Sequence, residues 1–395
     1  MKFIHVADIH FDIPFKTLSD RADLGVERRL EQRKAFKKMI DFAQENQVDC
    51  IFIAGDLYEQ EYVKSTTIEY INSLFKEIPH IKIYITPGNH DPYIKNSYYN
   101  TYKFADNVKI FTSKFEKIET ENYNVYGYGF DNFEMTNKLQ DCNLDKSKIN
   151  IFISHGDIYN ETKYNYMPIN ILQNEGFDYI ALGHIHKRDK YYPGSLVSLG
   201  FDETGKHGFI YGEIKDKKIE NNTSKLGIYG NTIQDAYENT RDEIRNEKCG
   251  QIGDEIDNKK DNSKIQSYTQ NNAKLQFVQA DSRELIYQDF DISKISTAEE
   301  LIEKLNEIET GNNLYEINLT GNRMFEISIN LKTIQSNIIK IKDSTKIENY
   351  TNLNENDKTL SGFFAKNLNE KLKNKEITEK EYEEIMALGK SVLTK

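Results

Sequence analysis

Only three cysteines occur in the 395 residues, Cys50, Cys142 and Cys249, far apart and without the close spacing of a thiolate metal site. That scarcity excludes a disulfide framework and suits a reduced, cytoplasmic protein. Long apolar runs are missing too, and the short one after Lys2 falls well below the length of a membrane span or a secretory leader. A soluble chain is expected. Basic charge is in deficit: 52 Lys and Arg stand against 63 Asp and Glu, a net charge of −11. A generic nucleic-acid binder would show the opposite balance. The acid is concentrated between residues 226 and 300, where 15 acidic side chains face 9 basic ones, and this lies away from the polar motifs.

What the chain does have is a set of short apolar runs that each end in a metal-type side chain. Asp8 and His10 follow 3–7, Asp56 follows 51–55, Asn89 and His90 follow 82–85, His155 follows 151–154, and His184 and His186 follow 179–183. In open α/β sheets ligands bind at the carboxyl ends of strands, so these distant residues are expected to converge. Pro87 and Gly88 break the third run and allow a tight turn.

Strand, helix, strand, helix, strand is the pattern of a layered α/β domain, expected over residues 1–225. The first helix is expected at 27–47 and carries Arg28, Arg29, Arg33, Lys34, Lys37 and Lys38. These form either a solvated face or a nucleic-acid contact. A second helix is expected at 67–78, with Thr66 and Glu69 spaced as a capping box, and a short one at 168–175, stopped by Gly176. Tyr98, Tyr99 and Tyr102 either stack on bases or pack a domain edge. Residues 226–274 are rich in Asn, Asp, Glu, Lys and Gln and read as a polar linker or insertion. An α+β domain is expected over 275–359, including a helix capped by Ser296 with Glu299, and an amphipathic helical tail over 360–395.

Asp8, His10, Asp56, Asn89, His155, His184 and His186 offer carboxylate, imidazole and amide donors without a thiolate. Such a set suits two hard or borderline divalent cations, which orient a phosphoryl group and activate water. Two such ions on the carboxylates of Asp8 and Asp56 would also make an acidic protein locally attractive to phosphate. His5, His80 and His207 lack such placement and are expected to be structural or surface residues.

Asp8-x-His10, Gly55-Asp56, Gly88-Asn89-His90-Asp91, Ser154-His155-Gly156 and Gly183-His184-x-His186 resemble the five motifs of calcineurin-like metallophosphoesterases. Residues 7–12, 192–195 and 199–203 narrow the resemblance to the DNA repair exonuclease branch of YhaO-like proteins and SbcD-like nuclease subunits. Residues 318–321 and 360–364 extend it weakly towards the C-terminus. The resemblance implies a metallophosphoesterase β-sandwich flanked by helices, with a smaller capping domain. It implies that Asp8, His10 and His186 hold one metal, that Asn89, His155 and His184 hold the other, and that Asp56 bridges them. His90 would serve the departing oxygen, with Asp91 fixing its tautomer. Manganese is the expected ion, with magnesium, iron or zinc as alternatives. DNA is the implied substrate, an SbcC-like coiled-coil ATPase the implied partner, and a homodimer a further expectation. Two other readings stay open at this point: a small-molecule phosphomonoesterase or cyclic-nucleotide phosphodiesterase, and a docking subunit of an ATPase complex.

Overall fold

The computed structural model describes residues 1–15, 24–215, 267–347 and 360–393. The described chain divides into two compact units, Met1–Ile286 and Tyr287–Lys395.

In the first unit, β1 (Lys2–Val6), β2 (Cys50–Ala54) and β3 (Lys82–Thr86) run parallel with β4 (Val108–Ile110). β9 (Gly208–Ile214), β11 (Ala273–Gln279) and β10 (Ser267–Gln270) extend this sheet antiparallel from β1, giving seven strands in the order β10-β11-β9-β1-β2-β3-β4. A second sheet has the order β5 (Glu116–Glu119), β6 (Tyr123–Gly127), β7 (Ile149–His155), β8 (Tyr179–Gly183). The five ligand-bearing strands therefore belong to two sheets rather than one.

The sheets face each other across one core. Phe3, Phe52, Ala54 and Tyr84 from the first meet Val125, Ile151, Ile153, Tyr179 and Ala181 from the second. The intervening residues Ile4, Val6, Ile51, Ile53, Ile83 and Ile85 are also fully buried, because period-2 alternation turns them towards the opposite, helix-covered face. α1 (Leu24–Glu45) lies on that side, with Phe42 edge-on to Phe209 and Tyr211 of β9 and Phe36 against Phe75 of α2 (Ser65–Glu77). Beyond the second sheet, α4 (Ile169–Glu175) contributes Leu172 to a cluster with Tyr128, Phe152 and Ile180. A short α3 (Tyr98–Thr101) follows β3. The result is the helix–sheet–sheet–helix layering expected of a metallophosphoesterase.

In the second unit β12 (Leu285–Asp291), β13 (Leu314–Thr320) and β15 (Ile338–Asp343) form a three-stranded sheet whose Ile317, Leu319 and Ile338 pack with Leu301 and Leu305 of α5 (Ala298–Asn306). β14 (Asn322–Arg323) pairs with β16 (Lys346–Ile347). The tail forms α6 (Leu360–Lys373) and α7 (Glu379–Leu393), where the Phe364 ring lies against Gly389.

Several expectations need correction. The domain start near Leu275 falls inside β11, whose pairing with β9 makes it part of the first sheet; the units divide after Ile286 instead. Of the polar segment, 226–266 lies outside the described residues, while 267–274 is strand and turn. Lys64, not Thr66, is the N-cap of α2, and no side chain caps it. The capping box of α5 is one residue later than expected: Thr297 accepts from the Glu300 N–H, and Glu300 accepts from the Ser296 N–H. Tyr99 is buried and Tyr98 packs edge-on to Tyr58, so both read as packing. Among the described residues no helix is long and apolar enough to cross a membrane.

Candidate metal centre

Every expected ligand stands at or just past a strand end: Asp8 and His10 after β1, Asp56 after β2, Asn89 after β3, His155 at the end of β7, His184 and His186 after β8. Turning them towards one another takes unusual backbone. Asp8 (φ 51°), His10 (φ 52°), Asp56 (φ 52°) and His184 (φ 115°) all have positive φ, a region that L-residues keep only where their surroundings impose it. The imposing contacts are plain: the N–H groups of Ile9 and His10 both donate to the Asp56 carbonyl at 2.9 Å. Close approach also requires glycine. A Cβ on Gly88 would lie 2.2 Å from Asp56 Oδ1, and one on Gly55 2.2 Å from His155 Nδ1.

The side chains gather in two groups that share Asp56. Its Oδ2 lies 3.6 Å from His10 Nε2 and 3.3 Å from His155 Nε2, while Oδ1 accepts from the His90 N–H at 2.8 Å. On one side His10 Nε2 and His186 Nε2 are 3.2 Å apart, with Asp8 Oδ1 4.0 Å from His186 Nε2. On the other, His155 Nε2 is 3.0 Å from Asn89 Oδ1, and the His184 ring lies edge-on to His155 at 5.3 Å. The His184 N–H also donates to both Asp8 carboxylate oxygens, at 3.0 and 3.1 Å. Among the described residues, three sets of ligand atoms lie close enough to hold an ion: Asp8, His10 and His186; His10, Asp56 and His90; Asp8, Asp56 and His155.

These residues fit a metal because of how the rings are turned. Nδ1 of His10 pairs with Glu59 at 2.7 Å, Nδ1 of His186 with Glu203 at 2.6 Å, and Nδ1 of His155 with the Ala54 carbonyl at 2.9 Å. With each Nδ1–H donated outwards, each Nε2 presents a lone pair inwards. In their neutral forms His10 and His186 then oppose two Nε2 lone pairs at 3.2 Å. A cation resolves that opposition, and outward acceptors on Nδ1 are the usual support of imidazole ligands. Nitrogen and oxygen donors without thiolate suit a hard or borderline divalent ion.

The electrostatics show the same crowding. Burial opposes the charge on Asp56, yet the neighbouring His155, His10 and His90 hold its carboxyl well below the usual range. His155, despite burial, is raised to about 9 by Asp56 and then Asp8. His186 is raised to about 9 against burial by Glu203, whereas burial and the neighbouring His155 lower His184 to about 4.

Two carboxylates here are not among the expected site residues, although Glu203 ends the 199–203 stretch that carries part of the resemblance. Glu59 bonds His10 through Oε1 and His90 Nδ1 through Oε2 at 3.0 Å. Glu203 orients His186 and also accepts from Ser195 Oγ at 2.8 Å. Asp91, expected to fix the His90 tautomer, does something else. It is buried and accepts from the N–H groups of Asp56 (3.1 Å), Leu57 (2.6 Å) and Gly88 (2.6 Å) and from Tyr99 Oη (2.5 Å), tying the β2 and β3 loops together. Burial first, and the Asp56 charge second, raise its carboxyl. His90 is the open member of the site, with 46% of its side chain exposed against 2% or less for Asp8, His10, Asp56 and His155. His5 and His207 are structural as expected: His5 links the Tyr179 hydroxyl and the Leu182 carbonyl, and His207 contacts Ser195 and the Glu203 carbonyl. His80 lies exposed at the surface.

The family model of calcineurin-like phosphoesterases matches residues 1–188, the stretch that carries all seven expected ligands. Residues 1–188 are thus similar to calcineurin-like phosphoesterases. Curated relatives of the chain include the uncharacterized metallophosphoesterase YhaO of Bacillus subtilis, 28% identical over 232 residues, covering 53% of this chain and 56% of that protein. The SbcD component of the nuclease SbcCD from Staphylococcus saprophyticus is 28% identical over 300 residues, covering 60% of this chain and 75% of that one. Its counterpart in Staphylococcus epidermidis is 26% identical over 272 residues, covering 56% and 68% respectively. The chain thus spans just over half the length of the first of these relatives. The expected family resemblance and layered fold are borne out for residues 1–188.

Proposed function

We propose that the chain is a two-metal nuclease that hydrolyses phosphodiester bonds in DNA. The observation that carries this reading is Asp56 Oδ2 standing between His10 Nε2 and His155 Nε2, a place from which one carboxylate serves two ions. Asp8, His10 and His186 would hold one ion and Asn89, His155 and His184 the other, with manganese expected first. Two bound divalent ions supply Lewis-acid polarisation of the phosphoryl group and activation of a water. The protein's own residues do the rest. His90, open to solvent and held through Nδ1 by Glu59, can present Nε2 and a proton to the departing oxygen. Asp91 keeps the loops of Asp56 and Asn89 at fixed separation.

DNA is favoured over small esters because two relatives are named as nuclease components, alike over 60% and 56% of this chain. An SbcC-like coiled-coil ATPase is the proposed partner. Its docking surface would be the α6–α7 pair, where Leu360, Phe363 and Leu388 are 75%, 72% and 68% exposed. The deciding experiment is manganese-dependent cleavage of end-labelled single- and double-stranded DNA beside p-nitrophenyl phosphate and its bis-ester, with His90→Ala as control. Cleavage of DNA that the control loses supports the nuclease. Activity confined to the small esters assigns a phosphatase or small phosphodiesterase instead.

A further inference from the structure

The basic run on α1 finds a use that neither a solvated face nor a nucleic-acid contact explains. Arg28 and Gln32, one helical turn apart and so on the same face, are both wholly buried. Arg28 donates to Asp281 through Nη1 at 3.1 Å and Nη2 at 2.7 Å, to Glu31 at 2.7 Å, and to the Ser198 carbonyl at 2.9 Å. Asp281 Oδ2 in turn accepts from the Ser198 N–H at 3.0 Å. Both backbone polar atoms of Ser198 are therefore gripped by one buried ion pair. Ser198 Oγ contacts the Glu203 carbonyl at 2.6 Å and the Gly200 carbonyl at 3.2 Å. Glu203 Oε2 accepts from the Leu199 N–H at 3.1 Å, and Oε1 meets His186 Nδ1. One turn along the helix, the Gln32 amide donates to the carbonyls of Ile9 and His10, the latter at 3.2 Å.

We infer that α1 is a strut for one half of the metal centre, with Arg28 and Asp281 as positioning residues for His186 and Gln32 as the positioning residue for the Asp8–His10 loop. Among the described residues the other half makes no direct hydrogen bond to α1: His155 rests on the Ala54 carbonyl, Asn89 follows β3, and His184 is linked to the helix only through Asp8. A buried ion pair is a poor device for stability alone, because packed apolar residues of like volume serve as well or better. What this pair provides is direction: it fixes a loop whose far end aims an imidazole. Asp281 follows β11, so the strands that extend the large sheet at one edge help to shape a site built on other strands.

The inference rests on the two-metal reading, and calorimetric titration of the full chain with manganese separates the two. Wild-type protein should show two binding events. The double substitution Arg28→Met with Asp281→Leu, its fold checked by circular dichroism, should weaken one event by roughly tenfold or more and leave the other in place, as loss of a partner behind a ligand does. Excess manganese should restore hydrolysis of the bis-ester. Ser198→Ala, a smaller change on the same path, should move the same event in the same direction. Two unchanged events in the folded double variant, or equal weakening of both, overturn the strut while leaving the two-metal reading intact. Should the double variant not fold, two unchanged events in Ser198→Ala overturn it. Wild-type protein that binds fewer than two ions removes the two-metal reading and the strut together.

Discussion

In the half of the centre built on Asn89, His155 and His184, the outer nitrogen of the buried imidazole rests on the Ala54 carbonyl, a backbone atom at the end of β2. In the half built on Asp8, His10 and His186, the same support comes from the side-chain carboxylates of Glu59 and Glu203. One half thus leans on fixed backbone; the other depends on charges that can be edited one at a time. Side-chain substitutions should act on the second kind of support, and changes in backbone space on the first.

Asp56→Ala should erase the distinction, because Asp56 belongs to both halves. Saturable manganese binding should disappear and turnover fall by at least about a thousandfold, roughly 4 kcal/mol of barrier at 1.36 kcal/mol per tenfold. A fully metallated, active variant would refute the shared position. His90→Ala should leave both halves intact by calorimetry while turnover drops by roughly 10²- to 10⁴-fold, the range for loss of a general acid; lost metal would instead make His90 a ligand. Gly55→Ala and Glu203→Gln form the sharpest pair. The first pushes a methyl into the His155 ring from a residue at φ 87° and should damage the Asn89–His155–His184 half. The second should weaken only the half that contains His186, by about 10- to 100-fold in metal affinity. If both variants lose the same binding event, the division into halves is wrong.

An effect on stability alone, with metal binding left unchanged, is expected at the joint between the two sheets. His5 of β1 reaches β8, where the Tyr179 hydroxyl meets Nδ1 at 2.8 Å and Nε2 meets the Leu182 carbonyl at 3.1 Å. Burial lowers its pKa to about 3, against the Leu182 bond. The imidazole is therefore neutral in the fold, while the unfolded chain takes up a proton below about pH 6.5. Its contribution is complete above that pH and is lost as pH falls towards 3, at up to about 1.4 kcal/mol per unit. Urea midpoints between pH 7 and 4 should fall less steeply in His5→Gln than in wild type, although the variant starts lower. Parallel slopes would show that His5 does not govern this stretch.

The proposed ligands are legible in sequence because each sits where an apolar run ends, and a strand end confines the side chain that follows it. Runs with no polar alternation point to parallel strands covered on both faces, and the structure agrees. The partition of these strands between two sheets is not legible, since a buried strand looks alike in either. The roles of Glu59 and Glu203 are silent for a related reason: a carboxylate that orients an imidazole needs no fixed spacing from it, only proximity across loops. Asp91 misleads because adjacency to His90 in sequence says nothing about where its oxygens point. Arg28 reads as part of a basic surface because its partner, Asp281, lies 253 residues away. The boundary near Leu275 misleads because Ala273 and Leu275, alternating with exposed Lys274, form an edge hairpin that reads equally well as the start of a new domain.

The left-handed backbone at Asp8, His10, Asp56 and His184 carries an evolutionary consequence. These side chains are ill suited to the dihedral angles they occupy, and glycine or asparagine would fold there with less strain, by an order of 1 kcal/mol at each. Were selection for catalysis relaxed, drift at these positions should run towards those two residues, yielding descendants that are sturdier than their ancestor and chemically inert.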